Sequence, residues 1–517
     1  MMSFIQRHMD KVIGMISGFD RMRFRGTLRM LAHVTGLRRF LDYRGHLLKD
    51  FSAYVQQVSE EVKAASVATA QKAGRPVVYL DSPGIDKEAV ASEIQRRDGI
   101  NEGLICVLTA VENCGSYKVA GNRQTKLLEL SHALRKCLHL YHYYQHREFG
   151  LMHVRLQSWL PLNQFVCVNG REWLGRQMDR AGIRYVRRDN CFAWISDMEG
   201  AQALLDAQVK FNWQEALGEL ALAVNPALPG LVGDFDIGYY WSLEESEWAT
   251  DVMFHDQREL SRLYPLLIRH GMESLGSSDV LKFLGRRVPA AGISPRLLAE
   301  VTSDLKSRPE GIRIKHRVNK NSVKMYNKQG SVLRVETTLN DMRDMKSLRT
   351  KADGSVSWEK MRKGVSDIGR RAEVSQGCND RYLEAMSAVE DATPLAQLTE
   401  GLSQAVVKHG RRARGLNLLG ADDARLLALV GEGKYVLHGF RNKDIQEAWF
   451  KGTAADAGEA RKRSGKTSRL LWLLRAHGLI KKVGGTYRYQ VTAKGRQVIA
   501  ALLAARAADT MKLTKAA

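Results

Sequence analysis

No two cysteines in this 517-residue chain are spaced as CxxC: Cys106, Cys114, Cys137, Cys167, Cys191 and Cys378 lie scattered. That argues against a zinc ribbon and a disulfide scaffold and leaves buried free thiols as the expectation. No run approaches the roughly 18 to 20 uninterrupted apolar residues of a helical membrane span. The Met-rich start is broken by Arg7, Asp10 and Lys11 before a signal-peptide core can form. Both absences lead to the expectation of a soluble, cytoplasmic protein with no membrane partner. GxGxxG, P-loop and nucleophile-elbow patterns are missing from any suitable setting, which disfavours a metabolic enzyme.

Acidic residues are also in deficit. With 79 Lys and Arg against 56 Asp and Glu the formal net charge is +23 and the pI is near 9.8, more than solubility requires. A polyanionic partner follows, nucleic acid before an anionic membrane surface. With 44% hydrophobic residues there is material for several cores, and the length implies two to four domains. Composition shifts suggest an α/β domain over 1–225 with aromatic and histidine-rich strands, a central domain over 226–408 with an acidic helix and a basic sheet, and a winged-helix domain over 416–517. The fold class expected is mixed α/β (α+β).

The stretch GIRIKHRVNKNSVKMYNKQGSVLRVETTLN, Gly311 to Asn340, alternates apolar with cationic residues. It reads as strands with one buried and one cationic face, turning at Asn327-Lys328-Gln329-Gly330. Arg313, Lys315, Arg317, Lys324, Lys328 and Arg334 are its nucleic-acid-binding candidates. Near the start, Val12 to Leu31 reads as an apolar strand ending in Asp20, followed by Arg21, Arg23, Arg25 and Arg29: a metal ligand beside phosphate contacts, or a plain ion-pair cluster. GLICVLTAVE, ending in Glu112, reads as a strand buried on both faces.

Lys136 to Asn190 is the densest aromatic and histidine region. His139 and His153 are candidate metal ligands beside Tyr141, Tyr143 and Tyr144, because a cation polarising a phosphodiester next to a nucleophilic phenolate is a known route to strand nicking. His139 and His142 are three positions apart, which in a strand sends them to opposite faces. In YYWSLEESEWATDVMF a helix would put Glu244, Glu247 and Asp251 on one face, a carboxylate set for Mg²⁺ or a solvated acidic face. NPALPGLVG marks a domain boundary, and HGRRARG a basic linker.

The last hundred residues read as three helices, a two-stranded hairpin turning at GGT, and a final helix. Arg461, Lys462, Arg463, Lys466 and Arg469 arm the third helix, and Lys481, Lys482 and Arg488 the hairpin. LLRAHGLIKKVGGTYRYQVTAKGRQVI resembles the recognition-helix-to-wing segment of winged-helix transcription factors of the MarR type. Lys324, Tyr326, Asn327, Lys328, Leu333, Arg334 and Glu336 resemble the K-x-Y-[DN]-K … LR-x-E strand pair of rolling-circle replication initiators of plasmids and filamentous phages. The second resemblance implies a DNA-processing protein of mobile-element type, in which Tyr326 or one of Tyr141, Tyr143 and Tyr144 attacks phosphate while Glu336, or His139 and His153, hold Mg²⁺ or Mn²⁺. Two alternatives stay open: a non-catalytic DNA- or RNA-binding or regulatory protein, and a carboxylate-metal nuclease or transposase built on Asp20, Glu112 and Asp251. No organic cofactor is expected, DNA is favoured over RNA, and homo-oligomerisation is left open.

Overall fold

The computed structural model describes residues 2–286, 299–308, 311–351, 353–389, 395–435, 439–450, 452–483 and 486–508. The chain is a mixed α/β protein, as its patterning leads one to expect. In chain order its first nine strands are β1 (Val12–Leu28), β2 (Val77–Tyr79), β3 (Gly103–Gly121), β4 (Leu128–His146), β5 (Gly150–Gln157), β6 (Gln164–Asn169), β7 (Tyr185–Arg188), β8 (Cys191–Ile195) and β9 (Tyr239–Phe254). There follow β10 (Val301–Arg308), β11 (Gly311–Val318), β12 (Asn321–Lys328), β13 (Val332–Thr338), β14 (Lys346–Thr350) and β15 (Val356–Lys360). The last are β16 (Val406–Lys408), β17 (Arg411–Ala413), β18 (Phe440–Arg441), β19 (Ile480–Lys482) and β20 (Arg488–Val491). Two compact units are assembled from separated stretches: a larger one from Gly14–Met253 and Glu336–Gln376, and a smaller one from Met1–Ile13, Phe254–Val335 and Gly377–Ala517.

In the larger unit the strand order is β9-β1-β6-β5-β4-β3-β2. Strands β3 to β6 form an antiparallel meander, β1 is antiparallel to β6, and β2 runs parallel to β3. Ser17 meets Thr250, Arg21 meets Glu247 and Arg23 meets Glu245, so partners descend β9 as they climb β1 and that pair is antiparallel. Along the second half of β1, Met22, Phe24 and Leu28 are buried while Arg21, Arg23 and Arg25 alternate with them on the other face. The register sets those arginines beside Asn169, Cys167 and Phe165 of β6. After β6 the chain turns into the helix Gly170–Ala181, capped by Asn169 Oδ1, which accepts from the backbone N–H groups of Arg171 and Glu172. Only glycine fits at the opening position, since a Cβ on Gly170 would lie 1.7 Å from the Phe19 carbonyl oxygen.

Several expectations need correction. Tyr239–Phe254 is the strand β9, not an acidic helix. Trp241, Leu243, Trp248, Val252 and Phe254 are all buried there, and burial of large aromatic and branched side chains outweighs the helical spacing of its carboxylates. Asp20 does not end a strand: β1 runs through it to Leu28. HGRRARG is not a bare linker, because His409 and Gly410, both at positive φ, turn the antiparallel pair β16–β17. NPALPGLVG holds the short helix Leu228–Val232 inside the larger unit.

In the smaller unit β10, β11, β12 and β13 are neighbours in that order. Ile314, His316, Val318, Val323 and Met325 are buried, while Arg313, Lys315, Arg317, Lys324 and Tyr326 occupy the alternate positions. The helix Gln257–Glu273 reaches this sheet through the Tyr264 hydroxyl, which donates to the Ile312 and Met325 carbonyls. Towards the C-terminus come helices Ala421–Val430, Asn442–Trp449 and Ala457–Ala476, a small sheet in the order β18-β20-β19, and the helix Ala493–Ala507. They share a core of Leu426, Ile445, Leu471, Leu474, Ile480 and Val498. Gly484 and Gly485, in the expected GGT turn, lie outside the described residues.

Candidate metal centre

Three carboxylates of the larger unit, each from a different strand, come together at a single point. Asp20 comes from β1, Glu247 from β9 and Glu336 from β13, and one oxygen of each lies within 4.8 Å of the others. Glu336 enters alongside β9, where the Leu339 N–H donates to the Ser246 carbonyl at 3.3 Å. Asp20 is 7% exposed and Glu336 2%, while Glu247 is mostly covered.

Three ionised carboxylates this close repel by roughly 3 kcal/mol per pair at an effective dielectric constant of about 20. The surrounding cations offset part of that. Arg21 Nη2 is 3.3 Å from Glu247 Oε1, and Arg171 Nε is 3.8 Å from Asp20 Oδ1. Arg171 is fully buried, with Nη2 3.0 Å from Asp251 Oδ2 and donating to the Ala249 carbonyl at 3.2 Å. Asn190 Nδ2 donates to Asp20 Oδ1 at 3.0 Å, fixing that carboxylate's orientation. The donor set is all oxygen and suits a hard divalent cation better than a thiophilic one. The triad could therefore hold a metal ion.

Asp20 and Glu247 line a cavity of about 140 Å³, shared with Glu88, Tyr143, His153 and Glu172. Glu88, Glu172 and Asn190 also border a neighbouring cleft of about 640 Å³, where Arg187 pairs with Glu172. Burial, then Asp86 and Glu172, raise the Glu88 carboxyl above its ordinary range. His153 is held neutral, its pKa pushed down to about 4 by burial and then by Arg155, Arg23 and Lys87. Burial drives the Tyr143 phenol far above its usual value, with Glu88 adding to it.

No protein-family model, curated protein or solved structure matched this chain. The functional reading therefore rests on the geometry of its own residues.

Of the sequence candidates, Asp20, Glu247 and Glu336 converge, and Tyr143 and His153 face the same cavity. Glu112 does not join them. It accepts from Tyr141 at 2.7 Å and pairs with Lys87 and Arg155 at 3.3 and 3.4 Å; burial raises its carboxyl, but the Tyr141 hydrogen bond and Lys87 outweigh that and hold it below the usual range. The carboxylate set Asp20, Glu112 and Asp251 is thus corrected: Glu112 is committed to Tyr141, Lys87 and Arg155, and Asp251 to Arg171. His139 sits near Cys137 (Sγ to Nδ1 4.0 Å), its pKa lowered to about 4 by burial and then by Arg155. His142 and Tyr144 occupy the opposite face of β4, as their spacing requires. Tyr141 and Tyr144 are pushed up to about 12, chiefly by burial. Glu244 pairs with Lys363 at 2.8 Å.

Tyr326 lies in the smaller unit, opposite Arg313. Arg313, Lys315, Arg317, Lys324 and Lys328 hold open or half-open positions there, but Arg334 is 1% exposed and turned inward, which removes it from any phosphate surface. Arg461, Lys462, Lys466, Arg469, Lys481 and Lys482 are exposed. Arg463 is partly spent on Glu459 at 2.6 Å, and Arg488 reaches the Gly439 carbonyl at 3.5 Å.

Sequence reasoning missed Arg171, Asn190, Glu88 and Glu172. Arg171 had a readable signal: a cation in the first turn of a helix opposes the macrodipole and so asks for a nearby carboxylate.

Proposed function

We propose that this chain is a nucleic-acid-handling enzyme that hydrolyses or transfers phosphodiesters with a divalent metal at Asp20, Glu247 and Glu336. The observation that carries this is the convergence of three largely buried carboxylates beside a cavity. A hard cation, Mg²⁺ or Mn²⁺, supplies Lewis-acid stabilisation of charge on the phosphodiester when bound. Asn190 and Arg171 keep Asp20 in place, and Glu88, with its raised pKa and its position on the cavity, accepts the proton of the attacking water. Water is preferred over tyrosine as nucleophile because burial opposes ionisation of Tyr143, the phenol facing the cavity.

The nucleic-acid assignment rests on charge. Besides the net +23, Lys315 stands directly opposite Lys324 on β11 and β12. Like charges in that position destabilise a sheet, and Lys315 is held below the usual lysine range by burial and then by Lys324, Arg317 and Arg313. A bound polyanion relieves that cost. The basic C-terminal helix and strands, read as a winged helix, give a second polyanion contact that sets position on duplex.

A second reading has its own support. Glu247, Glu245 and Glu244 pair with Arg21, Arg23 and Lys363, so the acidic block also balances charge within the unit, as a binding protein without catalysis would have it. The test is incubation with labelled single-stranded and supercoiled DNA and Mn²⁺. The expected result is EDTA-sensitive cleavage without a covalent adduct, lost in D20N and E336Q and kept in Y143F. Unaltered DNA under all conditions selects the binding reading, and an adduct lost in a Tyr→Phe variant selects the tyrosine mechanism.

A further inference from the structure

Strands β3 and β4 are each 19 residues long, far longer than the sheet beside them. Among the described residues, β2 reaches β3 only as far as Thr109 and β5 pairs with β4 only from His139 onward, with Ser158 N–H adding one bond to the Leu138 carbonyl. Beyond those points the two strands pair solely with each other, in unbroken antiparallel register from Val111↔Leu138 to Gly121↔Leu128. The root of this ribbon is fastened: the Tyr117 hydroxyl donates to the Leu31 carbonyl at 2.7 Å, and the Ser116 hydroxyl to that of Leu160 at 2.6 Å. From Lys118 outward most positions are exposed, and the turn is ordered by Asn122, whose Oδ1 accepts from the N–H groups of Gln124 and Thr125.

Between Asn113 and Lys136 the ribbon carries Lys118, Arg123, Lys126, Arg135 and Lys136, all exposed, against the single acid Glu129. Glu129 is engaged by Asn122 Nδ2 at 2.6 Å. Small side chains at Ala120, Gly121 and Ser131 occupy three positions of its outer part. At about 3.3 Å per residue the part beyond Tyr117 extends roughly 15 Å. The major groove of B-form DNA is about 12 Å wide and 8.5 Å deep and admits a two-stranded ribbon, whereas that of A-form RNA does not admit side chains.

We propose that the β3–β4 ribbon is a DNA-binding arm that enters the major groove of duplex DNA, with Lys118, Arg123 and Lys126 neutralising phosphates at its tip. This rests on the nucleic-acid reading above, but on none of the residues assigned there. The arm gives the unit that carries the carboxylate triad its own hold on duplex.

The test is the affinity of the full chain for a duplex DNA oligomer in EDTA, where no cleavage intervenes, as a function of salt. Wild type is compared with K118A/R123A/K126A and with a second variant in which 120–129 is replaced by Asn-Gly, closing the hairpin at Val119 and Leu130. R38A/R39A/K72A, equally exposed, controls for net charge. Loss of three phosphate contacts lowers the slope of log affinity against log salt by about 2.7. The expected result is that fall in the tip variant, at least as large in the shortened one, with the control at the wild-type slope and all melting temperatures unchanged. A wild-type slope in both ribbon variants overturns the arm while leaving nucleic-acid binding intact. Absence of salt-dependent duplex binding in wild type overturns both readings, and an equal ribbon dependence on duplex RNA overturns the groove assignment.

Discussion

Glu247→Gln removes one charge of the triad while keeping its shape, and the metal-site reading and the ion-pair reading expect opposite signs from it. Glu247 has two carboxylate neighbours with oxygens within 4.8 Å, a gross repulsion of roughly 7 kcal/mol at an effective dielectric constant of about 20. Among the contacts that offset this is the pair with Arg21 at 3.3 Å. The arginine is half exposed, so that contact is worth only about 0 to 1 kcal/mol. After partial screening of the repulsion, the variant without metal should be more stable than wild type by about 1 to 3 kcal/mol, or about 2 °C in melting temperature per kcal/mol. With metal the order reverses. At a cation concentration 100 times Kd, wild type gains about 2.7 kcal/mol and the variant little. Calorimetric unfolding in EDTA and in graded Mn²⁺ measures both arms. A Glu247→Gln protein that melts below wild type in EDTA, together with a wild type indifferent to Mn²⁺, would falsify the metal-site reasoning and leave Glu247 as a structural ion-pair partner.

Further expectations concern what holds the site and the unit together. Arg171 and Asp251 are both fully buried and 3.0 Å apart, so Arg171→Met, which takes the buried cation away from the aspartate, should cost about 3 to 5 kcal/mol. R171M/D251N should recover part of that in denaturant titrations, and a double variant less stable than R171M would refute the pairing. His8, His139, His142, His153 and His316 all have pKa values lowered to about 4, each chiefly by burial. Because the folded values lie below the unfolded value of about 6.5, the unfolded chain takes up protons first as pH falls. Stability should therefore drop between about pH 6.5 and 4, by on the order of 3 kcal/mol for the fully buried His142, and these groups add nothing further below that window. His142→Leu should remove about one proton from the pH dependence of unfolding. An unchanged pH dependence would show that His142 does not titrate as its burial implies.

The α/β class, the helices of the last hundred residues and the alternation of β11 and β12 were legible because each depends on local periodicity. Ile314, His316 and Val318 alternate with Lys315 and Arg317 at period two, and burial follows that pattern. Strand β9 was not legible, since Glu244, Glu247 and Asp251 happen to fall at helical spacing. The composition of the segment around Tyr239, Tyr240, Trp241, Val252 and Phe254 carried the strand signal instead. The carboxylates of the site could be suspected one by one, but not as a set. Asp20, Glu247 and Glu336 lie far apart in sequence and meet only because β1, β9 and β13 become neighbours, and long-range strand order leaves no mark in local sequence. The ribbon was hidden for a related reason: Lys118 to Lys136 has the composition of a basic loop, and only the register from Gly121↔Leu128 inward makes it an arm.

The most direct measurement is anomalous diffraction from crystals of the protein grown with Mn²⁺. The expected result is a peak about 2.1 Å from one oxygen each of Asp20, Glu247 and Glu336, the distance of a small hard cation from its oxygen ligands. Ordered carboxylates with no peak among them at saturating Mn²⁺, or a peak held by other residues alone, would contradict the central claim.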